Sequence, residues 1–129
     1  MIKGKQSIAF KASPYIEESA SVVGKKEGEG PLGSRFDMVG LDDMFGEDTW
    51  EKAESSMQKA LGKAHLTAGA IRYLFGGDLL RQGVATSLGV EQLQIPMFGL
   101  YGACSTSGEA LALASMCVAA GYGERMLVV

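Results

Sequence analysis

The residues from Gly99 to Gly108 have the types and spacing best suited to chemistry. An apolar run that favours a β-strand, 95–101, leads into the small residues Gly102 and Ala103, then Cys104, and then a long helical pattern. A thiol at the start of a helix faces free backbone N–H groups, which favour negative charge there. Acyl-transferring enzymes use such cysteines, and the same geometry holds small anions. The pattern leaves both uses open.

Cys104 is the candidate nucleophile, and Ser105 and Thr106 join it as candidate ligand-binding residues. A fourth candidate is Arg81, on the loop that follows the predicted strand 71–75. The carboxyl ends of parallel strands share one edge, so Arg81 is expected near Cys104, where it could hold a carboxylate. A solvent-facing arginine is the alternative.

The other reactive side chains favour structural roles. Cys117 lies within an apolar helical pattern and is expected to serve packing. His65 follows the first long helix and is interpreted as a surface residue or helix-end cation rather than a general base. The sequence contains neither a dinucleotide-binding nor a phosphate-loop motif, and its single histidine and two separated cysteines cannot form a closed metal site. No cofactor and no metal are therefore predicted.

Periodicity and turn residues predict an alternation of strands and helices. The region 24–46 has little periodicity and is predicted to be a long loop, either a partner contact or a mobile connection. Trp50 is predicted to anchor the first long helix in the core, and Thr106 with Glu109 is predicted to form a capping box. The predicted strands are 6–10, 15–23, 71–75, 95–101 and 125–129, and the predicted helices are one that starts at a cap on Asp48, a short one over 86–93, and one from Thr106 to about Gly121.

This alternation predicts an α/β fold with a mostly parallel sheet and right-handed crossovers. Ligands bind at the carboxyl ends of strands in such sheets, and Cys104 follows one of those ends. The helix after Cys104 is apolar on nearly every side, so we expect it to be buried on all sides.

Composition excludes several classes of function. The chain has 129 residues and a net charge of −3, which argues against nucleic acid binding. On one helix, Cys104 and Cys117 would be about 19 Å apart, too far for a disulfide. There is no signal-peptide pattern and no apolar run of membrane-spanning length. Only seven charged residues lie after His65, so this half is expected to need a cover, as in a homodimer or higher oligomer.

Several motifs, in order along nearly the whole chain, resemble a known family. They are Glu29-Gly30-Pro31-Leu32-Gly33 with Phe36-Asp37, Thr49-Trp50-Glu51-Lys52-Ala53-Glu54, Gly77-Asp78-Leu79-Leu80, and Gly102-Ala103-Cys104-Ser105-Thr106-Ser107. The element order is similar to the N-terminal half of the thiolase fold. More narrowly, the motifs resemble the stage V sporulation protein AD family.

The resemblance implies a non-catalytic protein of spore-forming bacteria. Such proteins bind dipicolinic acid, as the free acid or its calcium chelate, and work with sister membrane proteins of the same operon in its uptake and its release at germination. They lie on the cytoplasmic side, peripherally associated with the spore inner membrane. Cys104 aligns with the thiolase-fold nucleophile, so an acyltransferase resembling thiolases and ketoacyl synthases is the alternative.

The resemblance also bears on domain organisation. Residues 1–129 are expected to form a single thiolase-like half-domain that lacks the last strand and the C-terminal half. In the thiolase fold, the partner histidines or asparagine of the nucleophile come from that second half.

Overall fold

The computed structural model describes residues 2–63, 68–79 and 82–129. The strands in this part of the chain are β1 (Ile2–Lys3), β2 (Ser7–Ile8), β3 (Val22–Val23), β4 (Met38–Val39), β5 (Tyr73–Gly76), β6 (Met97–Gly99) and β7 (Met126–Val128). The helices are α1 (Lys25–Gly28), α2 (Trp50–Lys63), α3 (Val84–Val90) and α4 (Thr106–Ala119).

A parallel three-stranded sheet in the order β6-β5-β7 forms the centre of the fold. Phe75 pairs in register with Phe98 on one side and with Val128 on the other. All three strands run the same way, so their carboxyl ends share one edge. This confirms the predicted α/β architecture with a parallel sheet, and it places the turn before Cys104 at that edge.

Helix α4 covers one face of this sheet. Ala110 and Ala114, one turn apart, are buried against Phe75, which is only 3% exposed. Their small side chains let the helix approach the strand closely, and the ring of Phe98 stacks on Phe75 with centroids 5.0 Å apart. Cys117 packs on the edge of this cluster, as predicted.

Helices α2 and α3 form a second packed unit. They meet at Gly89, where a Cβ would overlap Gln58 Cβ and lie 3.2 Å from the Ser55 carbonyl oxygen. Ser55 is buried and bonds back to the carbonyl of Glu51 at 2.9 Å. A glycine is needed at position 89 because the two helix backbones are so close.

The region 24–46, predicted to be a long loop, contains regular structure. Strands β3 and β4 pair in parallel, with α1 and a 3₁₀ turn over Gly33–Arg35 between them. Hydrogen bonds between Ser21 and Asp37 connect the residues directly before β3 and β4. The amide and hydroxyl of Ser21 donate to Asp37 Oδ2 at 2.7 and 2.8 Å. The periodicity was uninformative because each element spans only two to four residues.

The predicted strands at the start of the chain are wrong in extent. Residues 15–21 are not in a strand, and β1 and β2 form an antiparallel hairpin over residues 2–8 with Gly4 in the left-handed region at φ +70°. β-Favouring residues are insufficient here because almost every side chain in 2–19 is exposed.

The predicted role of Trp50 is also wrong. Trp50 is the first residue of α2, and its side chain is 60% exposed. The cap lies at Thr49, whose hydroxyl accepts from the Lys52 amide at 3.3 Å, and Asp48 pairs with the Lys52 ammonium instead. The helix therefore starts one residue later than a cap on Asp48 requires.

The other predicted elements are confirmed with shifted or shorter bounds. Helix α3 starts two residues before the predicted 86–93 helix, and Glu91–Leu93 form a 3₁₀ turn. Strands β6 and β7 lie inside their predicted ranges, β5 starts two residues later than predicted and ends one residue later, and α4 begins at Thr106 as predicted.

The expectation that α4 is buried on all sides is wrong. Leu111 is 45% exposed and Leu113 is 37% exposed, because α4 packs on the sheet with one face only. Within the described residues, no helix combines the length and apolarity that crossing a membrane requires.

Candidate functional site

The turn from β6 into α4 presents Cys104 at the carboxyl edge of the sheet. The amide of Leu100 donates to the Gly76 carbonyl at 2.8 Å, which ties the turn to the end of β5. Ala103 to Ser105 then form a 3₁₀ turn. The side chain of Cys104 is exposed.

Ala103 has a left-handed backbone, with φ at +50°. A residue with a Cβ rarely adopts this conformation, and it strains the backbone directly before the thiol. This left-handed conformation changes the direction of the chain between β6 and α4, and Cys104, the next residue, lies outside the core. The sequence indicates only the small size of Ala103, not its left-handed backbone.

Two glycines join the loop after β5 to this turn. A Cβ on Gly77 would overlap the Leu100 carbonyl oxygen and lie 3.1 Å from Thr106 Cγ2. A Cβ on Gly83 would lie 3.3 Å from Cε1 of Tyr101. The two loops are therefore in contact, as expected for neighbouring parallel strands. Arg81 of this loop lies outside the described residues, as does His65.

Ser105 and Thr106 occupy different environments. The Ser105 hydroxyl lies 2.8 Å from the Gly102 carbonyl and within hydrogen-bond distance of the Glu109 carboxylate. Thr106 is 5% exposed, and its hydroxyl oxygen has no hydrogen-bond partner. The predicted Thr106–Glu109 capping box is therefore wrong. The N-cap residue is Ser105, one residue before Thr106. The 3₁₀ turn over Ala103–Ser105 leads directly into the helix, so that Thr106 is already its first residue.

Glu109 places a negative charge at the amino end of α4. Its carboxylate folds back over Gly102, where a Cβ would overlap it. A carboxylate here gains from the helix dipole and opposes the approach of a second anion. Sequence reasoning assigned Glu109 to capping alone.

Tyr101 is a site residue that sequence reasoning missed. It was assigned to the predicted strand, but β6 ends at Gly99 and the ring of Tyr101 is 66% exposed. It lies close to Gly83 and beside the Cys104 turn. The available signal was Gly102 directly after Tyr101 and Gly99 two residues before it, because closely spaced glycines are typical of a turn rather than a buried strand.

A carboxylate pair supports the loop after β5. Asp78, 8% exposed, accepts from the Gly83 amide at 3.1 Å and from the amide and hydroxyl of Thr86 at 3.0 and 3.2 Å. On α2, Glu54 accepts from the Leu79 amide at 3.4 Å. Burial and then the nearby Asp78 raise the pKa of Glu54 above its ordinary value. The sequence signal was a carboxylate four residues after Trp50, on the apolar side of α2.

Two open grooves lie away from Cys104. One of about 380 Å³ runs between α2 and α3, and one of about 400 Å³ lies at the amino edge of the sheet beside Arg72. Among the described residues, no group of three or more His, Cys, Asp or Glu side chains could hold a metal ion together. The candidate site is thus an open turn built from Tyr101, Cys104 and the start of α4.

Comparison with known proteins identifies the family. The model of the stage V sporulation protein AD family matches residues 4–129. The chain belongs to this family. Stage V sporulation protein AD of Bacillus subtilis (strain 168) is 38% identical over 132 residues, which cover 98% of this chain.

Family membership supports a role in sporulation. The aligned region is 39% of the Bacillus subtilis protein, so the chain spans about two fifths of the length of that relative. The Cys104 turn and the Glu54–Asp78 pair both lie within the residues that the family model matches.

Proposed function

We propose that this member of the stage V sporulation protein AD family binds dipicolinic acid without catalysing a reaction, and takes part in its uptake into spores and its release at germination. Sister membrane proteins act with it, and it is held peripherally at the spore inner membrane. The observation that carries the proposal is the exposure of Cys104 on the turn between β6 and α4. Family membership supports the sporulation context.

The chemistry of the turn suits a flat aromatic dicarboxylate. The exposed ring of Tyr101 offers a face for stacking. The amino end of α4 favours a carboxylate, and the small Ala103 lets it approach the backbone. Arg81, on the neighbouring loop, is proposed to hold the second carboxylate. Dipicolinate would thus lie across the turn, next to Cys104.

Glu109 bears on the form of the ligand. Its carboxylate shares this helix end and repels a free dianion. Calcium bound to dipicolinate offsets that repulsion, so the proposed ligand is the calcium chelate in preference to the free acid.

Titration calorimetry with dipicolinate, with and without calcium, tests this site. We expect Cys104→Ala and Arg81→Ala each to weaken binding by about tenfold, equal to about 1.4 kcal/mol. Cys117→Ala is the matched control, because Cys117 packs against the core cluster and should leave the affinity unchanged. Unchanged affinity in both Cys104→Ala and Arg81→Ala would remove the site assignment.

A second candidate is acyl transfer by Cys104. The left-handed Ala103 and the exposed thiol favour it, because a nucleophile must project from the turn that carries it. The thiolate would attack the carbonyl of an acyl thioester and the carrier thiol would leave, giving an acyl-enzyme. Incubation with acyl-coenzyme A and intact-mass measurement separates the two functions. An adduct present in the native chain and absent in Cys104→Ser supports the enzyme, and no adduct supports the binding protein.

A further inference from the structure

Residues 2–16 present large apolar side chains to solvent. The segment consists of the β1–β2 hairpin and a stretch after it that is neither helix nor strand. Ile2 is 83% exposed, Ile8 48%, Tyr15 83% and Ile16 72%. Single exposed apolar residues are ordinary on a protein surface, but a concentration of them in one short segment marks a surface that contacts something.

The hairpin places its two isoleucines on one face. Ile2 pairs in register with Ile8, and Lys3 pairs with Ser7. Residues directly opposite in an antiparallel ladder lie on the same face, and successive residues of a strand alternate between faces. The hairpin therefore has an aliphatic face and a polar face.

The charged side chains of the segment are all positive. They are Lys3, Lys5 and Lys11, which are exposed, and the first carboxylates, Glu17 and Glu18, follow directly after the segment. None of the three lysines forms an ion pair with a carboxylate of the described residues. The whole chain carries a net charge of −3, so the segment is basic while the rest of the chain is acidic.

An ion pair ties the end of the segment to the central sheet. The Glu17 carboxylate accepts from Arg125 at 2.7 and 3.0 Å, and Arg125 directly precedes β7. A bidentate pair of this kind fixes geometry better than a single contact, and it offsets the nearest negative charge. Tyr15 and Ile16, the two residues before Glu17, are thus held on the surface beside the sheet.

We propose that residues 2–16 dock onto an anionic lipid bilayer, an inference that rests on the proposed function, in which the protein is held peripherally at a membrane, and adds the segment that contacts lipid. The aliphatic face of the hairpin enters the interface, where the amphipathic ring of Tyr15 also fits. Lysine stems are long enough to bring their ammonium groups to lipid phosphates. Repulsion between the acidic remainder of the chain and the bilayer orients the basic segment toward the lipid.

Vesicle sedimentation of the full chain, without dipicolinate, tests this surface. Vesicles of equal parts phosphatidylglycerol and phosphatidylcholine are compared with vesicles of phosphatidylcholine alone, and we expect the native chain to sediment only with the anionic vesicles. Lys3→Gln combined with Lys5→Gln should weaken the partitioning by about 30-fold, because each lysine near an anionic surface contributes to the attraction. Ile2→Asn combined with Ile8→Asn should weaken it by about tenfold, because less apolar area is buried in the interface.

Two variants outside the segment are matched controls. Lys25→Gln combined with Lys26→Gln removes the same charge from exposed positions, and Leu41→Asn changes an apolar side chain that is 94% exposed. Both should partition like the native chain. Equal losses in the two double lysine variants, or a native chain that stays in solution with the anionic vesicles, would overturn the proposal.

The same assay separates lipid from the other polyanion that a basic segment can bind. A native chain that bound a single-stranded oligonucleotide and not the anionic vesicles would also overturn the proposal. The vesicle assay contains no dipicolinate and the calorimetry contains no lipid. Direct lipid contact and dipicolinate binding can therefore fail independently.

Discussion

Two threonines in the first turns of α3 and α4 show how a buried hydroxyl can either stabilise or destabilise the fold. Thr86 is fully buried, and its hydroxyl donates to Asp78 at 3.2 Å. Thr106 is nearly as buried, but its hydroxyl has no partner. Burial of a polar group costs free energy unless a hydrogen bond compensates it, so the same substitution should have opposite signs at the two positions.

We therefore expect Thr106→Val to raise the free energy of unfolding by about 1 kcal/mol and Thr86→Val to lower it by about 1–2 kcal/mol. Valine keeps the β-branched shape in both cases. Urea denaturation monitored by circular dichroism measures both values. A destabilised Thr106→Val would mean that its hydroxyl has a partner after all.

Residue types predicted the turn before Cys104 but not the surroundings of this side chain. Small residues before a thiol at a helix start are a local pattern, and in the structure Cys104 is exposed on that turn. The position of the Glu109 carboxylate relative to Cys104 depends on which residue starts α4. Sequence patterns locate such helix boundaries only to within one or two residues. The Glu54–Asp78 pair joins residues 24 positions apart, which no local pattern reveals.

Backbone approach limits the side chains at helix contacts. The junction of α2 and α3 depends on Gly89, which lies against Gln58 and the Ser55 carbonyl. A methyl group at Gly89 must push the helices apart, and overpacking of this kind is destabilising. Gly108, in the first turns of α4, has open space around its Cβ position.

Gly89→Ala should lower the free energy of unfolding by about 1–3 kcal/mol. Gly108→Ala should raise it by about 0.4–1 kcal/mol, because alanine reduces the entropy of the unfolded chain where the native backbone tolerates it. Thermal unfolding of the two variants beside the native chain measures both effects. A neutral Gly89→Ala would show that α2 and α3 can separate at no cost.

The apolar surface of α4 matters for the whole molecule. No charged residue lies between Ala110 and Gly123, yet Leu111 and Leu113 are substantially exposed. Leu111 and Leu113 border the exposed side of α4, on which Ala112 is also exposed, and exposed apolar surface favours association. In a solution that contains only this chain, a second copy is the macromolecule available to cover it, so we propose that the isolated chain forms a homodimer or higher oligomer through α4.

Light scattering coupled to size exclusion should show a mass above that of the 13.6 kDa monomer. The double change Leu111→Lys and Leu113→Glu should shift the mass toward the monomer, because charge makes burial of this surface costly. Leu41→Glu is the control, since Leu41 is 94% exposed and lies outside α4. A monomeric native chain, or equal dissociation in the control, would contradict the role of α4.

The alternation of strands and helices, the parallel sheet, and the position of the Cys104 turn at the carboxyl edge of that sheet could be predicted from the sequence, because each follows from periodicity and from local turn chemistry. The folded unit within 24–46, the outward position of Trp50 and the half-exposed α4 could not. Each of these depends on contacts between residues that are far apart in the sequence. A hydrophobic pattern indicates only that a side chain favours burial, and the tertiary structure decides whether another surface is present to cover it.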